Sequence, residues 1–333
     1  MFRPITVCAI ALPSLLTASC IDTGHLATKT TAKVLAKAQP SLNEESDYEH
    51  AGRAIPGALK TIEGFHVAYP DITDLTKILA QGYCQYGTGF VEDEWEVAEF
   101  EQKDFEKADY EAGRATKMYI RCMNYGLELL GKKWATAYTG DADEWKTMAR
   151  SAGGGKRIPL MWAAIGLGSA INMNKDDVGM ISMLPVAEWT LKRVIVMDGD
   201  GALIKPKDMD QVTFDKEFGK AVGSAPKDPV LRALPHVALG LLYTSRGKAL
   251  GGNPAMGKSE FERAIELTGG KFLLAKVLYA RNYGRIQTDR EFFRKTLVEV
   301  LQTDPAIYPE QRLANEIAQR RARRYLKMEK EWF

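Results

Sequence analysis

The sequence predicts an all-α protein of tetratricopeptide-like helix pairs packed into a compact helical bundle or solenoid. From Asp47 onward apolar residues recur at helical spacing, as at Ala54, Ala58, Ile62 and Phe65, and no sustained two-residue alternation rich in β-branched residues interrupts them. Near the C-terminal end, Leu239-Gly240-x-x-Tyr243 is followed by Gly257-x-x-x-Phe261-x-x-Ala264. That is the wording of a degenerate helix-pair repeat, with small residues where backbones touch and large ones where the helices interlock. Glycine and proline joints then bound helices of ordinary length, among them Tyr69-Pro70-Asp71, Thr139-Gly140-Asp141, Gly153-Gly154-Gly155, Gly252-Asn253-Pro254 and Asp304-Pro305.

Taken in order, residues 1–19 read as a secretory leader. Arg3 precedes an apolar run from Ile5 to Leu16, and Thr17-Ala18-Ser19 stand before Cys20 in a lipobox-like site. The run is too short to span a bilayer permanently. Cys20 is thereby the predicted lipidation site, and Ile21 rather than aspartate after it points to the periplasmic face of the outer membrane in a Gram-negative host. Each buried acyl methylene contributes about 0.8 kcal/mol, so stable anchoring takes more than one chain. Residues 20–46, rich in Thr, Lys and Ala, read as a lipidated tether, and 47–333 as the helical domain.

Four pairs fit the template within that domain. Leu79-Ala80-x-x-Tyr83 faces Ala115-x-x-x-Tyr119-x-x-Cys122, and Trp162-x-x-Ile165-Gly166 faces a helix near Leu184 to Val196. The Leu239 motif is the third pair, and Leu273 to Tyr283 faces Phe293, Leu297, Val300 and Pro305 in the fourth. Irregular copies suggest a closed bundle of pairs rather than an open solenoid. A last helix over about 310–330 turns Leu313, Ile317, Ala318, Tyr325 and Leu326 inward and its arginines outward, as a capping helix does.

The 333 residues carry 45 basic and 43 acidic side chains, and 45% are hydrophobic, which excludes a disordered chain. Loss of Arg3 with the leader leaves almost no net charge, so no nucleic-acid partner is indicated. Beyond the leader and the lipidation cysteine, Cys84 and Cys122 remain; they either pair or sit as small buried residues on neighbouring helices.

Several strings resemble a known family. Tyr83-x-x-Tyr86-x-x-x-Phe90-Val91-Glu92-Asp93-Glu94, the run Phe272-Leu273-Leu274-Ala275-Lys276-Val277-Leu278-Tyr279-Ala280-Arg281, and Leu313-Ala314-Asn315-Glu316-Ile317-Ala318 look like the T-component (TatT) lipoproteins of tripartite ATP-independent periplasmic (TRAP) transporters. The resemblance spans roughly 47–333 and departs over the polar stretch Leu203 to Leu234. It implies cryptic tetratricopeptide-like pairs, a lipid anchor, a homotrimer, a pore or cleft in each protomer, and a periplasmic solute-binding protein as partner. A protein-interaction scaffold without a small-molecule ligand is the alternative.

Tyr83, Tyr86 and Phe90 share one helix face, and Tyr279 and Tyr283 form a second aromatic pair. Such stripes most often belong to a core; with Trp162 and Trp189 they are also the candidates for lining an apolar ligand channel. Between Glu92 and Glu111 stand ten acidic side chains against Lys103 and Lys107. The plain reading is a solvated helix and loop, and the sharper one a docking patch for a basic partner at Glu92, Asp93 and Glu94. For most of Arg320, Arg321, Arg323 and Arg324 the dipole of a nearby helix C-terminus suffices, and Asn315 and Arg320 are expected to be structural, hydrogen-bonding a neighbouring repeat. His25, His50, His66 and His236 have no acid or nucleophile at motif spacing, so no catalytic, metal or cofactor site is expected. Gly153-Gly154-Gly155-Lys156 lacks the hydroxyl residue and strand of a phosphate loop, and Asp198-Gly199-Asp200-Gly201 lacks the ligand and glycine positions of a calcium loop.

Overall fold

The computed structural model describes residues 22–201, 204–223, 225–246 and 252–333; the leader and Cys20 lie outside the described residues. Among these the regular elements are helices, with no strand, as the apolar spacing predicts. The first two are α1 (Thr23–Asn43) and α2 (Tyr48–Ala68). Each is started by an aspartate, Asp22 and Asp47, whose carboxylate accepts the backbone N–H three residues on. The stretch expected to be a tether is therefore mostly helix. Its composition hides a stripe at helical spacing, in which Thr28 and Ala32 are buried and Leu35 and Leu42 pack on the core.

The first pair is α3 (Thr73–Tyr86) against α5 (Phe105–Leu130), with α4 (Glu92–Glu96) between two π-helical turns, Gly87–Val91 and Val97–Gln102. A disulfide between Cys84 and Cys122 joins α3 to α5 in the buried core. Two short helices, α6 (Lys132–Thr139) and α7 (Ala142–Arg150), then fold over Trp145, whose Nε1 donates to Thr190 Oγ1 at 2.8 Å. In the centre, α8 (Arg157–Met173) packs on α5 along one side and on α10 (Leu184–Met197) along another, with α9 (Val178–Ser182) in the connection. The α5–α8 crossing needs glycine on both helices. A Cβ on Gly166 would stand 2.6 Å from the Met123 nitrogen, and one on Gly126 2.7 Å from that of Ala163.

Within the polar stretch lies α11 (Gln211–Phe218), which buries Phe214 and Phe218. The repeat motif itself is α12 (Pro229–Thr244) on α13 (Pro254–Leu267). Phe261 lies so close to Gly240 that a Cβ there would be 2.9 Å from its ring, and His236 meets Glu260 across the same interface at 2.6 Å. The fourth pair is α14 (Leu273–Tyr279), continued by a third π turn, Ala280–Gly284, against α15 (Arg290–Gln302). The capping helix is α16 (Arg312–Lys327), followed by the short α17 (Glu329–Trp332). Asn315, buried in α16, accepts the Leu273 N–H and donates to the carbonyls of Lys271 and Pro305, the structural role expected of it.

One expectation for α16 is overturned. Arg321 and Arg324 do not face water but are buried, because the carboxylates that pair with them lie under the helix rather than in solvent.

Replacing Gly166 with valine should push α5 and α8 apart and destabilise the protein by about 1–3 kcal/mol. Urea unfolding followed by circular dichroism measures it, with Gly113→Val, where a Cβ meets nothing within 4 Å, as the control for intrinsic helix propensity.

Candidate functional site

Two π turns bracket α4 and set its carboxylates beneath α16. Asp93 and Glu96 have no accessible surface. Arg324 Nη1 donates to Asp93 Oδ1 and to Glu96 Oε2, both at 2.7 Å, and Arg320 Nε donates to Asp93 Oδ2 at 2.7 Å. Arg321 lies 3.8–3.9 Å from Glu92, Asp93 and Glu96 and donates to the Thr88 carbonyl at 2.5 Å. The Tyr325 hydroxyl donates to Glu96 Oε1 at 2.5 Å, and that of Tyr119 to Glu92. Burial by itself would raise the Asp93 carboxyl, but the hydrogen bonds from Arg324 and Arg320 and the charges around it hold it below its ordinary value. For Arg321 and Arg324 burial again opposes the charge, and the facing carboxylates outweigh it and raise both.

Through Glu92 the cluster touches a cavity of about 640 Å³ among the helix pairs. Thr88 and Glu92 come from the first π turn and α4, and Arg281 from the third π turn. Most of the remaining wall is aliphatic, from Ile165 and Ile171 of α8, Leu184 and Leu191 of α10, Val237 and Leu241 of α12 and Leu278 of α14, and Ser169, Asn172, Ser245 and Arg246 add polar groups to it. Lys175 and Asp176, both exposed, stand at the rim. Loss of water around the Lys175 ammonium lowers its pKa, and the like charges of Arg281 and Arg285 lower it further. A chamber of this size with few polar groups suits a small, mainly apolar ligand.

The seven aromatic candidates are placed elsewhere. Tyr83, its phenol pushed up to about 12 by burial and then by the Glu63 charge, stacks on Tyr125 at 5.9 Å. Tyr86 and Phe90 stack on one another and edge a separate recess of about 190 Å³ near Tyr48 and Arg114. Trp162 is buried in the main core, and Trp189 stacks on Phe218 and donates to Glu217. Tyr279 stacks on Phe261 and meets Phe292 edge-on, with Tyr283 beside them. All seven pack helices against each other and none lines the large cavity, where Phe272 is the aromatic in the wall. Of the docking candidates, Glu92 and Asp93 are buried on arginines of the same chain, and Glu94 is half-buried at the smaller recess. The acids of Asp198-Gly199-Asp200 likewise serve arginines, Asp198 pairing with Arg157 and Asp200 with Arg232 and Arg263.

Sequence reading missed the cavity wall and the cluster, yet one signal pointed to the wall. Helix α8 is apolar on every side, so it must bury both faces, one on α5 and one elsewhere. Among the described residues there is no group of three or more His, Cys, Asp or Glu fit to hold a metal, and no helix is long and apolar enough to cross a membrane.

A family model described as the TRAP transporter T-component matches residues 44–202 and 231–333, most of the chain. The gap between the matched segments falls within the polar stretch Leu203 to Leu234, which departs from the family wording. No curated protein matches the chain. The matched family is defined as a transporter component, not by an enzymatic reaction.

Two measurements check the cluster. Arg324→Ala should destabilise the protein by about 3–5 kcal/mol by leaving Asp93 and Glu96 underpaired, whereas Arg323→Ala, at an exposed position, should change it by no more than about 0.5 kcal/mol; urea midpoints compare them. Asp93 has a depressed pKa in the folded state, so its contribution is complete above its ordinary value and is lost as pH falls through the folded one. The urea midpoint should therefore fall on acidification below about pH 4, and Asp93→Asn should flatten that fall.

Proposed function

Because the chain belongs to the TRAP transporter T-component family, we propose that it is a lipid-anchored periplasmic accessory of a TRAP transport system that docks the solute-binding protein and holds a hydrophobic ligand. The observation that carries the ligand reading is the central cavity, about 640 Å³ and walled mainly by aliphatic side chains. Apolar cargo is poorly solvated in an aqueous compartment, and a mainly apolar chamber lowers the free energy of holding it between a partner and a membrane transporter. The work is carriage and hand-over, with no covalent step.

The anchor is Cys20. Only Ile21 separates it from Asp22, the cap of α1, and α1 packs on the body. A lipid on Cys20 would hold the domain close to the periplasmic face of the outer membrane rather than at the end of a long leash. In this reading a homotrimer is the assembled form.

Organic extraction of the purified protein followed by mass spectrometry should release an apolar molecule, and Ala238→Trp, which fills the chamber from α12, should abolish that molecule at unchanged fold. Pull-down from the native periplasm should recover a solute-binding protein with both forms. A chamber that never carries an apolar molecule, with the partner still bound, would make the protein a docking scaffold alone.

A further inference from the structure

We propose that the charged end of the central cavity is a carboxylate site, so that the chamber takes a single-chain amphiphilic monocarboxylate with its head on Arg281 and Lys175 and its chain among α8, α10 and α12. The proposal rests on the chamber being a ligand site and names the chemistry of the ligand.

Arg281 is 9% exposed and lines the cavity. A buried guanidinium ordinarily has its donors satisfied. Here Nε has no hydrogen-bond partner, and the ion-pair neighbour of the side chain, Glu96, lies 3.6 Å away. Glu96 is already committed, with Arg324 on one oxygen and Tyr325 on the other. The rings of Trp95, Phe100 and Tyr325 surround the guanidinium with centroids 5.5–5.8 Å away, which fixes its position without supplying an acceptor.

Charge counting points the same way. The buried carboxylates of the cluster, Glu92, Asp93 and Glu96, face Arg281, Arg321 and Arg324, and the half-exposed Arg320 pairs with Asp93 and lies 3.9 Å from Glu49. Lys175 at the rim has no ion-pair partner within 4.0 Å among the described residues, and it feels Arg281 and Arg285 more strongly than Glu92. Among the charged side chains that line the chamber, Arg281, Lys175 and Arg246 are positive and Glu92 and Asp176 negative, so the lining carries a net positive charge. Glu92 in the same wall repels a second negative charge, which favours a monoanion over a phosphate dianion. A carboxylate matches the planar donors of a guanidinium, and Ile165, Ile171, Leu191, Val237 and Leu241 offer its chain an aliphatic bed.

Dodecanoate and 1-dodecanol share a chain and differ in the head, so calorimetric titration of the delipidated protein with each, below micelle formation, isolates the head-group term. Wild type should bind dodecanoate at least about tenfold more tightly than dodecanol, the scale of one charge-assisted hydrogen bond. Lys175→Gln, at an exposed position, should weaken dodecanoate about three- to tenfold, and Arg281→Gln should weaken it further. Both variants should leave dodecanol unchanged. If Arg281→Gln does not fold, the wild-type preference and Lys175→Gln still decide. Equal affinity for the two heads, or an equal loss of both in Lys175→Gln, overturns the carboxylate site and leaves the chamber intact. Binding of neither overturns the chamber as a ligand site as well.

Discussion

Asp93 and Glu96 lie without solvent contact beneath a helix more than two hundred residues away in the chain, and that burial constrains much of what surrounds them. A carboxylate removed from water is tolerable only if cations and hydrogen bonds replace its hydration. Arg320, Arg321 and Arg324 do so from one face of α16. Because these bonds are short and directional, they fix α16 against α4 as well as neutralising charge. The first and last parts of the chain are tied together, and a row of helix pairs that could have been an open solenoid is closed around an interior.

Closure explains why the cavity has a charged end and an apolar body. The π turns at Gly87–Val91 and Ala280–Gly284 each insert extra backbone into a helical run, which rotates the following residues away from the face that a regular helix would give them. Glu92 and Arg281 reach the cavity wall at these irregular points. Elsewhere the wall is mainly regular helix carrying aliphatic side chains, joined by Lys175 and Asp176 in a turn and Ser245 and Arg246 after α12. Large aromatic side chains fill the joints between helices, where stacking and edge contacts interlock neighbouring surfaces, as Phe261 does with Tyr279 and Trp189 with Phe218. Packing and chamber are thus built from different residue types on the same helices.

This division ties stability to function. The arginines of α16 hold the fold closed, and Arg281, from the neighbouring π turn, shares Glu96 with them while facing the chamber. A ligand that met Arg281 would act on a group electrostatically linked to the closing cluster. The α5–α8 crossing, drawn close by Gly126 and Gly166, fixes by backbone contact the seat of α8, whose Ile165 and Ile171 line the chamber.

The sequence alone determined the helical class, the four pairs and the family, because these rest on local spacing or on strings of residues, and the structural role of Asn315 was legible from its string although its partners lie 10 to 44 positions away. It left Cys84 and Cys122 open between pairing and burial, and residues 20–46 read as a tether because a weak apolar stripe, carried by the helix over 23–43, looks like composition until a surface is there to receive it. Only the tertiary structure decided that the acidic run and the arginine-rich helix are partners, since charges far apart in the chain leave no period to read and each segment by itself looks solvated. It also decided that the aromatic stripes pack while aliphatic faces enclose the cavity. Helical periodicity reports that a face is buried, and says nothing of whether protein or empty space lies against it.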